Sequence, residues 1–114
     1  MTKMIRAAAV QASPVFLDPD AGVEKACAII REAARGGADL VALPEAFLPG
    51  YPYWIWLGDP GARLQTWFRR FFKNAVTIPG PAVSRLSTAA RENNIYVNVS
   101  VTEREGGSLY LTQL

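Results

Sequence analysis

Glu45 is the residue whose type and place could do chemistry. It follows the apolar run at 38–43 (ADLVAL) and Pro44, and so stands at the carboxyl end of an expected parallel strand, where open α/β sheets place their ligand crevice. Its neighbours Ala46, Phe47 and Leu48 are apolar, which predicts a partly desolvated carboxylate. Desolvation is one of the ways a carboxylate becomes a general base. The plainer reading is a glutamate that caps a nearby backbone group or pairs with an arginine, and the residues alone leave both readings open. Tyr51, Tyr53 and Trp54 follow closely enough to wall a pocket around that carboxylate, or to pack as core beneath the next helix.

Other reactive groups are scarce. The 114 residues include no His and one Cys, so a disulfide within the chain, Ser-His-Asp or Cys-His machinery, and a zinc site of the usual kind are all excluded. Cys27 falls beside Val23 and Ile30 on the apolar face of an expected helix, the place of a small core residue. Lys73 closes a basic aromatic helix, where a cation interacts favourably with the helix C-terminus. Lys3 and Lys25 read as ordinary surface residues.

Half of the residues are apolar or aromatic and 19% are charged, which excludes both a disordered chain and a bundle of membrane helices. A chain of this length builds one core, burying roughly two-thirds of its unfolded surface. The net charge of +2 does not point to nucleic acid. No apolar stretch approaches the roughly 18 residues that suggest a membrane span, and the first residues lack the pattern of a secretory leader. The expected location is the cytoplasm, and one unpaired Cys suits its reducing conditions.

The elements that must position Glu45 are legible from periodicity. Residues 5–12 read as a buried strand. Asp18-Pro19-Asp20 caps a helix in which Val23, Ala26, Cys27, Ile30 and Ala34 share a face, and Gly36-Gly37 stops it. Residues 38–43 make a second strand, so 5–43 spell a βαβ unit with parallel strands. An aromatic loop rich in Pro and Gly follows. Asp59 can cap, and Pro60 can open, a second helix with Leu64, Trp67, Phe68, Phe71 and Phe72 on one face and Arg63, Arg69, Arg70 and Lys73 mostly on the other. That aromatic stripe reads as core or as a subunit contact.

A third helix begins at Ile78-Pro79-Gly80-Pro81, carries Val83, Leu86 and Ala90, and stops at Asn93-Asn94. Residues 95–102 alternate strictly and predict one strand, with Ile95, Val97, Val99 and Val101 on one face and Tyr96, Asn98, Ser100 and Thr102 on the other. Glu105-Gly106-Gly107-Ser108 is a hairpin turn, and residues 108–114 begin its antiparallel partner. The chain finishes inside that strand, so a domain cut short is expected. The order of elements predicts an α/β layer architecture: a mixed sheet with helices on one face. Asn98-Val99-Ser100 matches a glycosylation pattern, but a strand in a chain without a secretion signal is no place for one. The bases between 60 and 91 have no acidic companions, and solvated helix faces explain them. Glu103 and Arg104 could pair with neighbours or orient the site.

The stretch Leu43-Pro44-Glu45-Ala46-Phe47-Leu48-Pro49-Gly50-Tyr51-Pro52-Tyr53-Trp54 closely resembles the catalytic-glutamate segment of the nitrilase branch of the carbon-nitrogen hydrolase superfamily. Residues 5–54 resemble a nitrilase opening and 101–114 its later hairpin, and the basic aromatic helix between them fits. The choice of nitrilase over amidase rests mainly on residues 49–54. The resemblance implies a four-layer α-β-β-α sandwich of which this is the amino-terminal portion, residues 1–114. It implies a Glu-Lys-Cys constellation, with Glu45 as general base and Tyr53 and Trp54 in the substrate pocket. The family's Lys and Cys lie beyond the hairpin, so the 114 residues alone are expected to be inactive. It implies hydrolysis of a small organic nitrile to an acid and ammonia, without metal or cofactor, in a homo-oligomer, a dimer or a spiral, with no nucleic-acid or membrane partner. The rival readings are an amidase or carbamoylase of the same superfamily, and a non-catalytic interaction module.

Overall fold

The computed structural model describes residues 2–58 and 61–114. Among the described residues nine elements follow one another: β1 (Ala7–Ala9), α1 (Pro19–Arg35), β2 (Leu40–Ala42), a short 3-10 helix (Tyr53–Trp56), α2 (Ala62–Asn74), α3 (Pro81–Glu92), β3 (Tyr96–Asn98), β4 (Ser100–Glu105) and β5 (Ser108–Gln113). The expected α/β class is what forms. β1, β2 and β3 make a parallel sheet in that order, with β2 in the middle.

Local chemistry explains the helix ends. The Asp18 carboxylate accepts the Ala21 N–H at 3.0 Å, and Pro19 sits in the first turn, where its missing N–H is harmless. At the other end Gly37 takes a left-handed φ of +82°, which lets the Ala38 N–H reach back to the Ala33 carbonyl at 3.1 Å. Asn94, with φ +47°, turns the chain after α3 in the same way. The expected cap and start of the second helix at Asp59 and Pro60 lie outside the described residues.

One face of the parallel sheet is covered. Ala8, Val41 and Val97 stand in register across the three strands, and they pack against Val23, Ala26 and Ile30 of α1 and Leu86 and Ala89 of α3. Cys27 is buried in this same layer. Ala7, Ala9, Tyr96 and Asn98, on the opposite face, are exposed.

One expectation needs correction. The alternating run 95–102 is two strands: Tyr96–Asn98 pair with β2, and from Val99, which exchanges both backbone hydrogen bonds with Leu114 at 3.1 and 2.9 Å, the opposite edge of the run is paired. β3 therefore belongs to the parallel sheet and β4 to an antiparallel pair with β5, where a single mixed sheet was expected. Alternation also fails from Val99 to Thr102, all four of which are buried. The edge of β4 opposite β5 is also occupied there: Leu48 bridges Val101, and Val76 bridges Glu103.

The aromatic stripe of α2 is only partly covered. Phe71 is its one buried residue, while Trp67 is 37% and Phe68 52% exposed. Within this chain the stripe is core only at its C-terminal turn. Glu103 and Arg104 are committed elsewhere than the site: Glu103 accepts the Thr112 hydroxyl at 2.7 Å, and Arg104 lies over the Phe72 ring and donates to the Phe72 carbonyl.

Candidate active site

Glu45 begins the turn that leaves β2, the middle strand of the parallel sheet, at its carboxyl end. That is the predicted placement. The turn is tight and mostly interior: residues 46–50 are all buried, and Glu45 alone of 45–50 is exposed. The expected desolvation of its carboxylate is therefore not provided by its apolar neighbours, whose side chains go into the core and away from it. Phe47 and Leu48 are completely buried.

Backbone hydrogen bonds hold this turn along the 98–102 segment. The Leu43 N–H donates to the Asn98 carbonyl at 2.9 Å, the Phe47 N–H to the Ser100 carbonyl at 2.9 Å, and the Thr102 N–H to the Leu48 carbonyl at 2.8 Å. Between them, the Ala46 N–H donates to a side chain, the Ser100 hydroxyl, at 3.0 Å. Ala46 has φ +50°, a left-handed conformation that costs a residue with a Cβ about 1–2 kcal/mol. Gly50 closes the turn at φ +108°, where a Cβ would also meet Phe16 at 2.9 Å.

Tyr53 and Trp54 stand in the 3-10 helix that follows. Trp54 is buried, and its ring packs on Phe16, Trp67 and Phe71 with centroids 6.0, 6.3 and 5.1 Å away. Its Nε1 has no hydrogen-bond partner among the described residues. Tyr53 is 65% exposed and lies against Tyr51, 4.9 Å between centroids. Together with Phe16, Leu64 and Trp67 they line an open cavity of about 940 Å³. Glu45 is not in that lining. The structure thus brings Tyr53 and Trp54 together around one cavity and leaves the Glu45 carboxylate outside it.

Cys27 has the surroundings of a core residue: it is buried between α1 and α3, with its sulfur 4.0 Å from the Arg85 carbonyl. Burial pushes its thiol up from the ordinary range, and the charges of Arg85 and Arg31 oppose that only in part. Lys25 donates to the Ser13 carbonyl at 2.7 Å, a surface tie between α1 and the preceding loop. Among the described residues no three His, Cys, Asp or Glu gather into a metal site, and no helix is long and apolar enough to cross a membrane. Ser100 is the residue that sequence reasoning missed. Alternation put it on the polar side of a strand, and its place opposite the turn after β2 is set by tertiary pairing.

A parallel sheet with helices on one face and a carboxylate at the end of its middle strand defines an α/β layer scaffold with a candidate acid-base group at the crevice end of the sheet. Residues 6–114 match the family described as carbon-nitrogen hydrolase, and the chain belongs to that family. It is 55% identical over 109 residues to a nitrilase of Bacillus sp. (strain OxB-1), covering 96% of this chain and 32% of that protein. It is 50% identical over 113 residues to an aliphatic nitrilase of Rhodococcus rhodochrous, covering 99% of this chain and 31% of the relative. Among solved structures it resembles an amidase from Nesterenkonia sp., with a TM-score of 0.65 and 25% identity over 96% of this chain and 36% of the amidase. The chain spans about a third of the length of the curated relatives it matches.

Proposed function

We propose that this chain supplies the glutamate-bearing part of a nitrilase that converts a small organic nitrile to its carboxylic acid and ammonia. The placement of Glu45 carries the reading: it is the one exposed residue of a rigid turn at the carboxyl end of a central parallel strand, and it sits in a segment shared with nitrilases at 50–55% identity. In this reading Glu45 is the general base. A thiol gives up its proton to Glu45 and adds to the nitrile carbon, forming a thioimidate. A first water then releases ammonia and leaves a thioester, and a second water, activated by the same carboxylate, releases the acid and restores the thiol. A lysine cation stabilises the charge that develops on nitrogen and oxygen.

Neither thiol nor lysine comes from Cys27, Lys3, Lys25 or Lys73, so both belong to sequence outside these 114 residues, and the 114 residues alone are inactive. Tyr53 and Trp54 contribute to the wall that receives the substituent of the nitrile. The enzyme works without metal or cofactor, as a cytoplasmic homo-oligomer. The likeness to the Nesterenkonia amidase favours one second reading, hydrolysis of an amide at the same site.

The test is ammonia release by the complete encoded polypeptide from phenylacetonitrile and, in parallel, from phenylacetamide. Nitrile turnover with little amide turnover is the expected result, and the reverse establishes the second reading. Glu45→Gln should lower kcat by about 10²-fold or more, the usual worth of a positioned general base. Wild-type turnover by Glu45→Gln would remove Glu45 from the mechanism.

A further inference from the structure

We propose that Ser100 is a positioning residue for Glu45: its buried hydroxyl sets the orientation of the peptide plane on which the Glu45 side chain is mounted. The proposal rests on the reading of Glu45 as the base. Ser100 is 1% exposed, and it holds two successive amides of the turn. Its hydroxyl accepts the Ala46 N–H at 3.0 Å and its carbonyl accepts the Phe47 N–H at 2.9 Å.

A side chain is needed at this point because the backbone has nothing to offer. The carbonyls of Asn98 and Ser100, which face the turn, already accept the Leu43 and Phe47 N–H groups, and Val99 between them faces the other edge, where it exchanges both bonds with Leu114. The Ala46 amide, in a residue that is itself buried, would otherwise be a donor without an acceptor, a costly state inside a protein. Ser100 supplies the missing oxygen. The Ala46 N–H and the Glu45 carbonyl share one rigid peptide plane, so holding that N–H also holds ψ of Glu45 and with it the direction in which the carboxylate leaves the turn. The left-handed φ of Ala46 is not a conformation an alanine keeps unaided. With the hydroxyl gone, the cheapest relief is rotation of this same plane, and a base displaced by about 1 Å loses rate steeply.

The experiment compares Ser100→Ala and the nearly isosteric Ser100→Cys with wild type in the complete encoded polypeptide. It measures kcat and KM on phenylacetonitrile, melting temperature, and hydrogen exchange of the Ala46 amide. The expected result is a fall in kcat of about tenfold or more with KM within about twofold, together with faster exchange at Ala46. A lowered melting temperature with kcat unchanged would mean a purely structural serine and overturn the proposal. Should neither variant fold, wild type still decides: exchange at Ala46 as fast as in an unstructured peptide overturns it. The Glu45→Gln arm is separate, because wild-type turnover there removes the base and leaves the hold of Ser100 on the turn readable from exchange alone.

Discussion

Replacing Gly22 with alanine sets two physical effects of opposite sign against each other. Gly22 lies in the first turns of α1, and exchanging a helical glycine for alanine ordinarily stabilises by up to about 1 kcal/mol. Here a Cβ would stand 2.6 Å from Cδ2 of Leu48. Carbon atoms in contact prefer roughly 3.5–4.0 Å, so Leu48 or the helix must give by about 1 Å. Leu48 has no free side to yield into: it is completely buried, its carbonyl accepts the Thr102 N–H at 2.8 Å, and its backbone bridges Val101. Overpacking of a well-filled core costs about 1–3 kcal/mol, so the steric effect outweighs the propensity. Gly22→Ala should lower the melting temperature of the complete polypeptide by a few degrees. It should also lower kcat, since Leu48 anchors the turn that carries Glu45. A double-mutant cycle makes the assignment specific. Leu48→Ala alone costs about 2–5 kcal/mol, and in the double variant the new methyl occupies space that Leu48 vacates, so the combined loss should be less than the sum. A Gly22→Ala protein that melts higher than wild type would refute the argument, since propensity would then have won and the approach of α1 to the turn would not be tight.

Asp18→Ala removes the carboxylate that accepts the Ala21 N–H and should cost about 1 kcal/mol; Asp18→Asn keeps an acceptor and should melt close to wild type, and equal losses in both would show that the cap is not what matters there. Cys27→Ala should retain nitrile hydrolysis, and complete loss of turnover in a folded variant would contradict its placement as core. In the native protein Cys27 should resist iodoacetamide at neutral pH, and peptide mapping should find it modified only after unfolding, because burial raises its thiol and disfavours the thiolate. The sign for stability follows: above the range where an unfolded thiol ionises, the folded state retains a proton the unfolded state has released, so Cys27 makes stability fall as pH rises there.

The local elements were legible where one short-range rule dominates. The cap at Asp18, the apolar face of α1 and the glycine stop at Gly36-Gly37 each follow from neighbours a few residues apart, and each is found where expected. The parallel pairing of β1 with β2 followed from the crossover helix between them. What periodicity could not reveal was the division at Val99, because residues 95–98 and 100–102 have one continuous pattern, and the change of partner from β2 to β5 is made by residues distant in sequence. The exposure of Glu45 was misjudged for a related reason. Apolar neighbours in sequence do not desolvate a side chain when the turn sends them inward and it outward. The same limit applies to α2, whose pattern was clear, although Trp67 and Phe68 remain substantially exposed in this chain: a moment says which face is apolar, not what lies against it.

The turn at 45–50 shows how a polar group comes to be held out from an apolar interior. A left-handed alanine costs about 1–2 kcal/mol, and on its own would favour a relaxed loop with a wandering carboxylate. Against that stand four hydrogen bonds tying the turn to its surroundings: Ala46 and Phe47 to Ser100, Leu48 to Thr102, and Pro49, whose carbonyl accepts the Leu17 N–H at 2.8 Å. Each contributes about 0.5–1.5 kcal/mol, and the burial of Phe47 and Leu48 adds about 1.5–3 kcal/mol for each side chain. The favourable terms outweigh the strain, so the strained conformer is the populated one. An interior that anchors residues 46–50 leaves Glu45 little freedom beyond its own side-chain torsions, and in the proposed role of base a backbone already held pays less ordering entropy when substrate arrives.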